Sequence, residues 1–156
     1  MVQDAGVDFI TIHGRTKNQR SSEAVNIEAI TALRPHVSVP LLFNGDISTL
    51  SVAESITRIS GVDGVMSARD ILANPALFAG HDNCPWEAVE EFMNAVVRAP
   101  IPFKLVVHHV NTMCEGNGGE ALLGKQERKE LMDCRDMMEL IDFLDRVKGI
   151  RRFQAS

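Results

Sequence analysis

The sequence predicts two kinds of structure in one chain: an α/β first half of parallel βα units and an all-α second half. Three observations carry this. Strand-like apolar runs recur in the first half at intervals of roughly 20 to 30 residues, each followed by a stretch of helical period, the pattern of strands joined by crossover helices. Each run ends in small or polar residues. Beyond about residue 80 such runs cease, and apolar residues fall at helical spacing.

"DFITIH" (8–13) reads as a buried strand, followed by a polar loop. A helix is expected from about Asn26, a capping residue, with Ile27, Ile30 and Leu33 on one side and Pro35 stopping it. "VPLLFN" (39–44) is a second buried strand, leading through Gly45 to a helix opening near Ser48. Leu50, Ala53, Ile56 and Ile59 share one face of it. "VDGVM" (62–66) is a third, shorter strand, and another helix precedes Asn74-Pro75.

In the second half Pro85 falls at a first helical position, with Trp86, Val89, Met93, Val96 and Val97 on one stripe. A helix opens near Ile101-Pro102, aligning Leu105, Val106, His109, Val110 and Met113. "EGNGGEALLG" (115–124) reads as a connection. A last helix turns Met137, Met138, Ile141, Leu144 and Val147 inward, with Asp136 and Glu139 outward. The expected domains are 1–80 and 81–156, the second a small bundle whose methionines are packing residues.

At 156 residues the chain can bury a sizeable core. No apolar run approaches the roughly 20 residues of a membrane span, and no targeting pattern follows Met1. Cys84, Cys114 and Cys134, an odd number widely spaced, suggest reduced thiols in the cytosol, nucleus or an organelle matrix, and with no targeting segment seen the expected setting is cytoplasmic or nuclear. A net charge of −5 argues against indiscriminate nucleic-acid binding while leaving room for a local basic patch.

The strand ends carry the candidate chemistry: His13-Gly14-Arg15, Asn44-Gly45-Asp46 and Ser67-Ala68-Arg69. Parallel α/β sheets bind ligands at that carboxyl edge. The last two turns lead towards helix N-termini, whose free N–H groups suit an anion, and Arg69 adds a fork shaped for phosphate. Singly, each has a plainer reading: Asn-Gly is a common turn, a strand-ending histidine is commonly structural, and Arg69 fits a helix surface. Their coincidence on successive βα units points to a site for one anion.

Other constellations weigh less. Adjacent His108 and His109 project from different faces of a helix, so a zinc site with Cys114 and Cys134 is not expected. Lys104 with His108, "KQERK" (125–129) and Arg151-Arg152 read as solvated charge, with RNA contact the alternative. "GNGG" (116–119) lacks the Lys-Ser/Thr of a phosphate loop. Asp133, Asp136, Glu139 and Asp142 read as one solvated helix surface.

"HGRTKNQR", "NGDI" and "GVDGVMSARDILANPALF", in this order and spacing, resemble the C-terminal half of the barrel of tRNA-dihydrouridine synthases, in particular the eukaryotic branch (20a/20b type) acting on D-loop uridines. The likeness covers nearly the whole chain and is strongest to about Gly80. "NGDI" is shared with other flavin barrels; "HGRT" with the "ANP" segment is more selective. The resemblance implies the last three βα units of a TIM (β/α)8 barrel followed by a helical domain. It also implies an FMN-dependent oxidoreductase that reduces the C5–C6 double bond of a tRNA uridine with NADPH. Residue by residue, His13 would contact FMN, Asn44-Gly45-Asp46 would hold its phosphate or ribityl part, and Ala68-Arg69 would cradle the phosphate. Arg15, Lys17 and Arg20 stand where family members present basic residues to RNA.

There are departures. The family's proton-donating cysteine, and a lysine near the flavin ring, belong to the first half of the barrel, and none of the three cysteines here takes that place. Asp70 stands where a small residue is usual. A full barrel needs about 250 residues, so the chain reads as a fragment, alternative start or truncated isoform. An open sheet of three strands would then be poorly soluble or depend on a complementing partner. Two further functions stay open: another FMN barrel acting on a small enone or dihydroorotate, and a non-catalytic piece binding tRNA or a partner through its helical half.

Overall fold

A computed structural model describes residues 2–116 and 120–154, with side chains to Gly149. Two compact units divide the chain: residues 1–71 with 76–82, and residues 72–75 with 83–156. The Arg151-Arg152 side chains and residues 117–119 of "GNGG" lie outside the described residues.

The first unit is a parallel sheet of β1 (Ile10–His13), β2 (Leu41–Asn44) and β3 (Gly64–Met66), in that spatial order. Ile10 lies opposite Leu41, His13 opposite Asn44, and Asn44 opposite Met66, so the three carboxyl ends come level. Two helices cross between the strands. In α1 (Ile27–Leu33) the Asn26 side chain accepts from the Ala29 N–H, as the capping reading requires. The helix ends at Leu33, and Pro35 sits in a following 3-10 turn. In α2 (Leu50–Ser60) Thr49 caps the start, and Gly61, at φ +69, closes the end in the left-handed region.

Because side chains alternate along a strand, Ile10, Ile12, Leu41, Phe43 and Val65 face one way. They pack with Ile30, Ala53, Ile56 and Leu77, and Leu41 and Phe43 are fully buried. The opposite face is far less covered. Phe9, expected in a buried strand, precedes β1 and is 56% exposed, and Met66 is 42% exposed. β1 is therefore half-open rather than buried, since it has a neighbour on one side only among the described residues. Ile59 is also exposed. Its expected inward place goes to Ser60, whose hydroxyl donates to the Ile56 carbonyl at 2.6 Å and so loses little by burial.

The second unit contains α4 (Trp86–Arg98), α5 (Phe103–Glu115), α6 (Lys125–Asp133) and α7 (Met137–Gln154) around Val89, Val96, Val106, Val110, Met113, Leu131, Leu140 and Phe143. Residues 69–73 form α3, a helix of five residues. Pro85 is the residue before α4 rather than its first. Three stripes shift register. Val97 and Leu105 are exposed, and Val107 is buried instead. On α7 Met138 and Ile141 are exposed, while Leu140 and Phe143 take the core. The "KQERK" segment, read as a charge cluster, opens α6, whose buried residue is Leu131. Asp133 ends α6, so the four acids do not share one helix, but it still lines one open surface recess with Glu139 and Asp142 of α7.

Candidate functional site

The level strand ends of the first unit line a recess of about 30 Å³, formed by His13, Asn44, Gly45, Asp46, Ile47, Met66, Ala68, Arg69 and Asp70. All six residues expected to bind a cofactor are among them. The volume holds about two waters, which suits a single phosphate group and not a whole flavin.

Four braces fix the rim. The Gly14 N–H donates to the Asn44 carbonyl at 2.9 Å, and the Asn44 amide donates to the Met66 carbonyl at 2.8 Å, tying β1 to β2 and β2 to β3. The Ser67 hydroxyl reaches the Ile47 carbonyl at 2.8 Å. The fourth is Arg15, whose guanidinium forks onto both Asp46 carboxylate oxygens, one at 3.0 Å, while its Nε donates to the Glu23 carbonyl. The Arg15 backbone N–H donates to His13 Nδ1 at 3.0 Å. With Nδ1 accepting, a neutral His13 carries its proton on Nε2, which leaves that nitrogen as a donor.

The resemblance implies that Arg15 faces RNA together with Lys17 and Arg20, but its place differs from theirs. Its side chain is 6% exposed and committed to Asp46, whereas Lys17 and Arg20 stand on the surface. Arg69 is 68% exposed and has Asp46 at 3.9 Å, so its fork remains available at the mouth of the recess. The helix contribution is smaller than expected. Thr49 already caps α2 five residues beyond Asn44, and α3 is too short to carry much dipole. Arg69 is thus the main source of positive charge at the mouth.

Two glycines are required by close approach. A Cβ on Gly14 would lie 2.8 Å from Val25 Cβ, and one on Gly45 would lie 2.9 Å from Val25 Cγ1 and 3.3 Å from His13 Cε1. Gly45 also adopts φ +133, and Asp46 follows at φ +52, a left-handed value that Asp tolerates better than most residues. Val25 thus wedges under both turns. The sequence reading missed it, although a lone branched apolar residue in an otherwise polar loop was the available signal. The roles of Ser67 and Ile47 have no comparable signature.

The cysteines lie elsewhere. Burial pushes the Cys84 thiol up to about 11. Cys134 is also raised, by burial first and by the Glu139 carboxylate second. His109 stands edge-on to Phe92, ring centres 5.6 Å apart. Among the described residues no three His, Cys, Asp or Glu side chains are grouped to hold a metal, and no helix is long and apolar enough to cross a membrane.

A parallel sheet of three strands joined by crossover helices defines a protein of the α/β class. The family model for dihydrouridine synthase (Dus) matches residues 1–144, and the chain belongs to that family. It is 41% identical to the tRNA-dihydrouridine(20a/20b) synthase [NAD(P)+] of Saccharomyces cerevisiae over 154 residues, 96% of this chain and 41% of that protein. The Schizosaccharomyces pombe protein of the same name is 42% identical over 113 residues, covering 72% of this chain and 35% of its own. A human tRNA-dihydrouridine(20a/20b) synthase [NAD(P)+]-like protein is 34% identical over 145 residues, 93% and 44% respectively. The chain spans less than half the length of these relatives.

Proposed function

We propose that this chain carries the phosphate end of the FMN site, and part of the tRNA-facing surface, of a dihydrouridine synthase acting on D-loop uridines. One observation carries the reading: His13, Asn44, Gly45, Asp46, Ala68 and Arg69, from three successive βα turns, line one recess of phosphate size, with an exposed guanidinium only loosely paired to Asp46 at its mouth. When bound, FMN supplies hydride chemistry, the reduction of the uridine C5–C6 double bond at the expense of NADPH. The chain's own part is to bind and orient. Arg69 meets the phosphate dianion. The turn at Gly45 admits close approach because no Cβ stands there, and Nε2 of His13 offers a proton donor beside it. Lys17 and Arg20, on the exposed loop beyond His13, supply contacts to the tRNA backbone.

The fold we propose for the complete site is the (β/α)8 barrel, with further strands on the outer edges of β1 and β3. The exposed Phe9 and Met66 would then face the barrel interior, so a complementing segment or partner is part of the proposal. The test is titration of the purified chain with FMN, read by flavin fluorescence anisotropy, beside tRNA binding by filter retention. Saturable one-to-one FMN binding together with tRNA retention supports the assignment. Retention of tRNA without FMN binding leaves the non-catalytic RNA-binding role, and binding of neither overturns both.

A further inference from the structure

We infer that Arg15 is the positioning residue that makes the recess fit for an anion, by neutralising Asp46 and keeping that carboxylate from capturing Arg69. The inference rests on the flavin-phosphate reading above. Asp46 presents a problem that the binding assignment alone does not solve. It is a carboxylate in the lining of a recess meant for a phosphate dianion, and like charges in a partly desolvated cleft disfavour one another. Its neighbours supply the answer. Both Asp46 oxygens are met by the Arg15 fork, which is 6% exposed, whereas Arg69 stands off at 3.9 Å and is 68% exposed. The two arginines are not equivalent: the buried one is spent on the carboxylate, and the exposed one is left for a ligand.

Geometry ties the same residue to two more parts of the rim. Its Nε holds the Glu23 carbonyl, bringing the loop back beside Val25, and its backbone N–H fixes His13 Nδ1 as an acceptor. Without the guanidinium, Asp46 would be free to turn to Arg69, the nearest cation, and the mouth of the recess would lose its available charge. The loop carrying Lys17 and Arg20 would lose its tether at the same time.

The experiment uses the full chain, with R15M, R15K, D46N and the R15M/D46N double variant, and reads FMN affinity by flavin fluorescence anisotropy and inorganic phosphate binding by 31P line broadening. Asparagine accepts the left-handed backbone at position 46 as readily as aspartate, so D46N adds no strain. Amide exchange of Leu41–Asn44 reports whether the sheet stays folded. R15M should weaken FMN and phosphate about tenfold, the scale of one charge-assisted contact. The double variant should recover to within about threefold of the parent, because the competing carboxylate is gone. R15K, which restores the charge without the fork, should recover part of the loss. If the double variant binds as weakly as R15M, Arg15 acts only through the fold and the inference fails. Parent-like FMN binding by R15M would also overturn it, while leaving the flavin site intact. If the folded parent binds neither FMN nor phosphate, the flavin-phosphate reading and this inference fall together.

Discussion

Substituting Gly45 by alanine tests the rim of the recess with a magnitude that can be worked from distances. The backbone at φ +133 costs an L-residue about 1–3 kcal/mol. The new methyl would also sit 2.9 Å from Val25 Cγ1, closer than carbon atoms approach one another, adding about 1–2 kcal/mol of overpacking. G45A should thus destabilise the first unit by about 3 kcal/mol, a large share of the stability of a domain this size. V25A alone removes a half-buried pair of methyls and should cost about 1 kcal/mol. In the double variant the collision with Val25 is gone, so the total should fall short of the sum by about 1–2 kcal/mol. The probe must report on the right unit. The single tryptophan, Trp86, lies in the second unit, so its fluorescence is blind to this change. Amide exchange at Leu41–Asn44, read as free energies of opening, is the appropriate assay. A G45A effect under 0.5 kcal/mol, or strict additivity with V25A, would refute the view that Val25 wedges the turn.

Other outcomes follow from the same structure. Lys17→Ala with Arg20→Ala should lower the slope of log K against log salt for tRNA binding by about two, whereas the same substitutions should leave FMN affinity unaltered. A salt slope equal to the parent's would remove this loop from the RNA surface. For the thiols, Cys134 should alkylate well before Cys84 at pH 8, since Cys84 is 5% exposed and held protonated to about 11. Its folded pKa exceeds the ordinary 9.0, so the folded state keeps the proton longer than the unfolded one. That stability is intact below pH 9 and is lost as pH rises from 9 to about 11, by about 2 kcal/mol at the upper end. Trp86 fluorescence reads this directly, because the chain has no tyrosine to titrate in that window. Cys84→Ser should flatten the profile, and an unchanged slope would show that the thiol is not its source.

What was legible in the sequence tracks how local each signal is. The three strands were read within a residue or two because each is a short apolar run ending in small or polar residues, and Asn26 announced its helix by chemistry confined to four positions. Inward faces were harder. A one-residue choice separates Met138 and Ile141 from Leu140 and Phe143, and only packing against other helices decides it. Helix α6 went unread because eight of its nine residues are charged, polar or exposed Met132, leaving Leu131 as the one buried anchor. In the site, residue types were informative but partnerships were not. His13 and Asn44 end their strands as expected and Arg69 opens the helix after β3, yet nothing in "HGRT" separates an arginine that faces RNA from one that grips Asp46, 31 residues away. Long-range pairing of charges depends on the register of β1 against β2, which local sequence does not specify.

The bracing of the recess bears on how much of a cofactor this chain can hold unaided. Every brace, from Gly14–Asn44 through Arg15–Asp46 to Ser67–Ile47, begins and ends between residues 13 and 67. The recess is therefore set by the first unit itself and is pre-formed, which would lower the ordering cost of the proposed phosphate binding there. A recess of about 30 Å³ cannot also enclose an isoalloxazine ring, so contacts to the ring would have to come from further strands. The affinity of this chain for FMN should then be close to its affinity for the phosphate group alone. Inorganic phosphate should displace FMN competitively, with dissociation constants within about tenfold of each other, and flavin fluorescence should stay unquenched because the ring remains in water. FMN binding that resists a large excess of phosphate, or that quenches the ring, would mean these three βα units bury the flavin by a surface other than this recess. The barrel proposal would then lose its reason for requiring the missing strands.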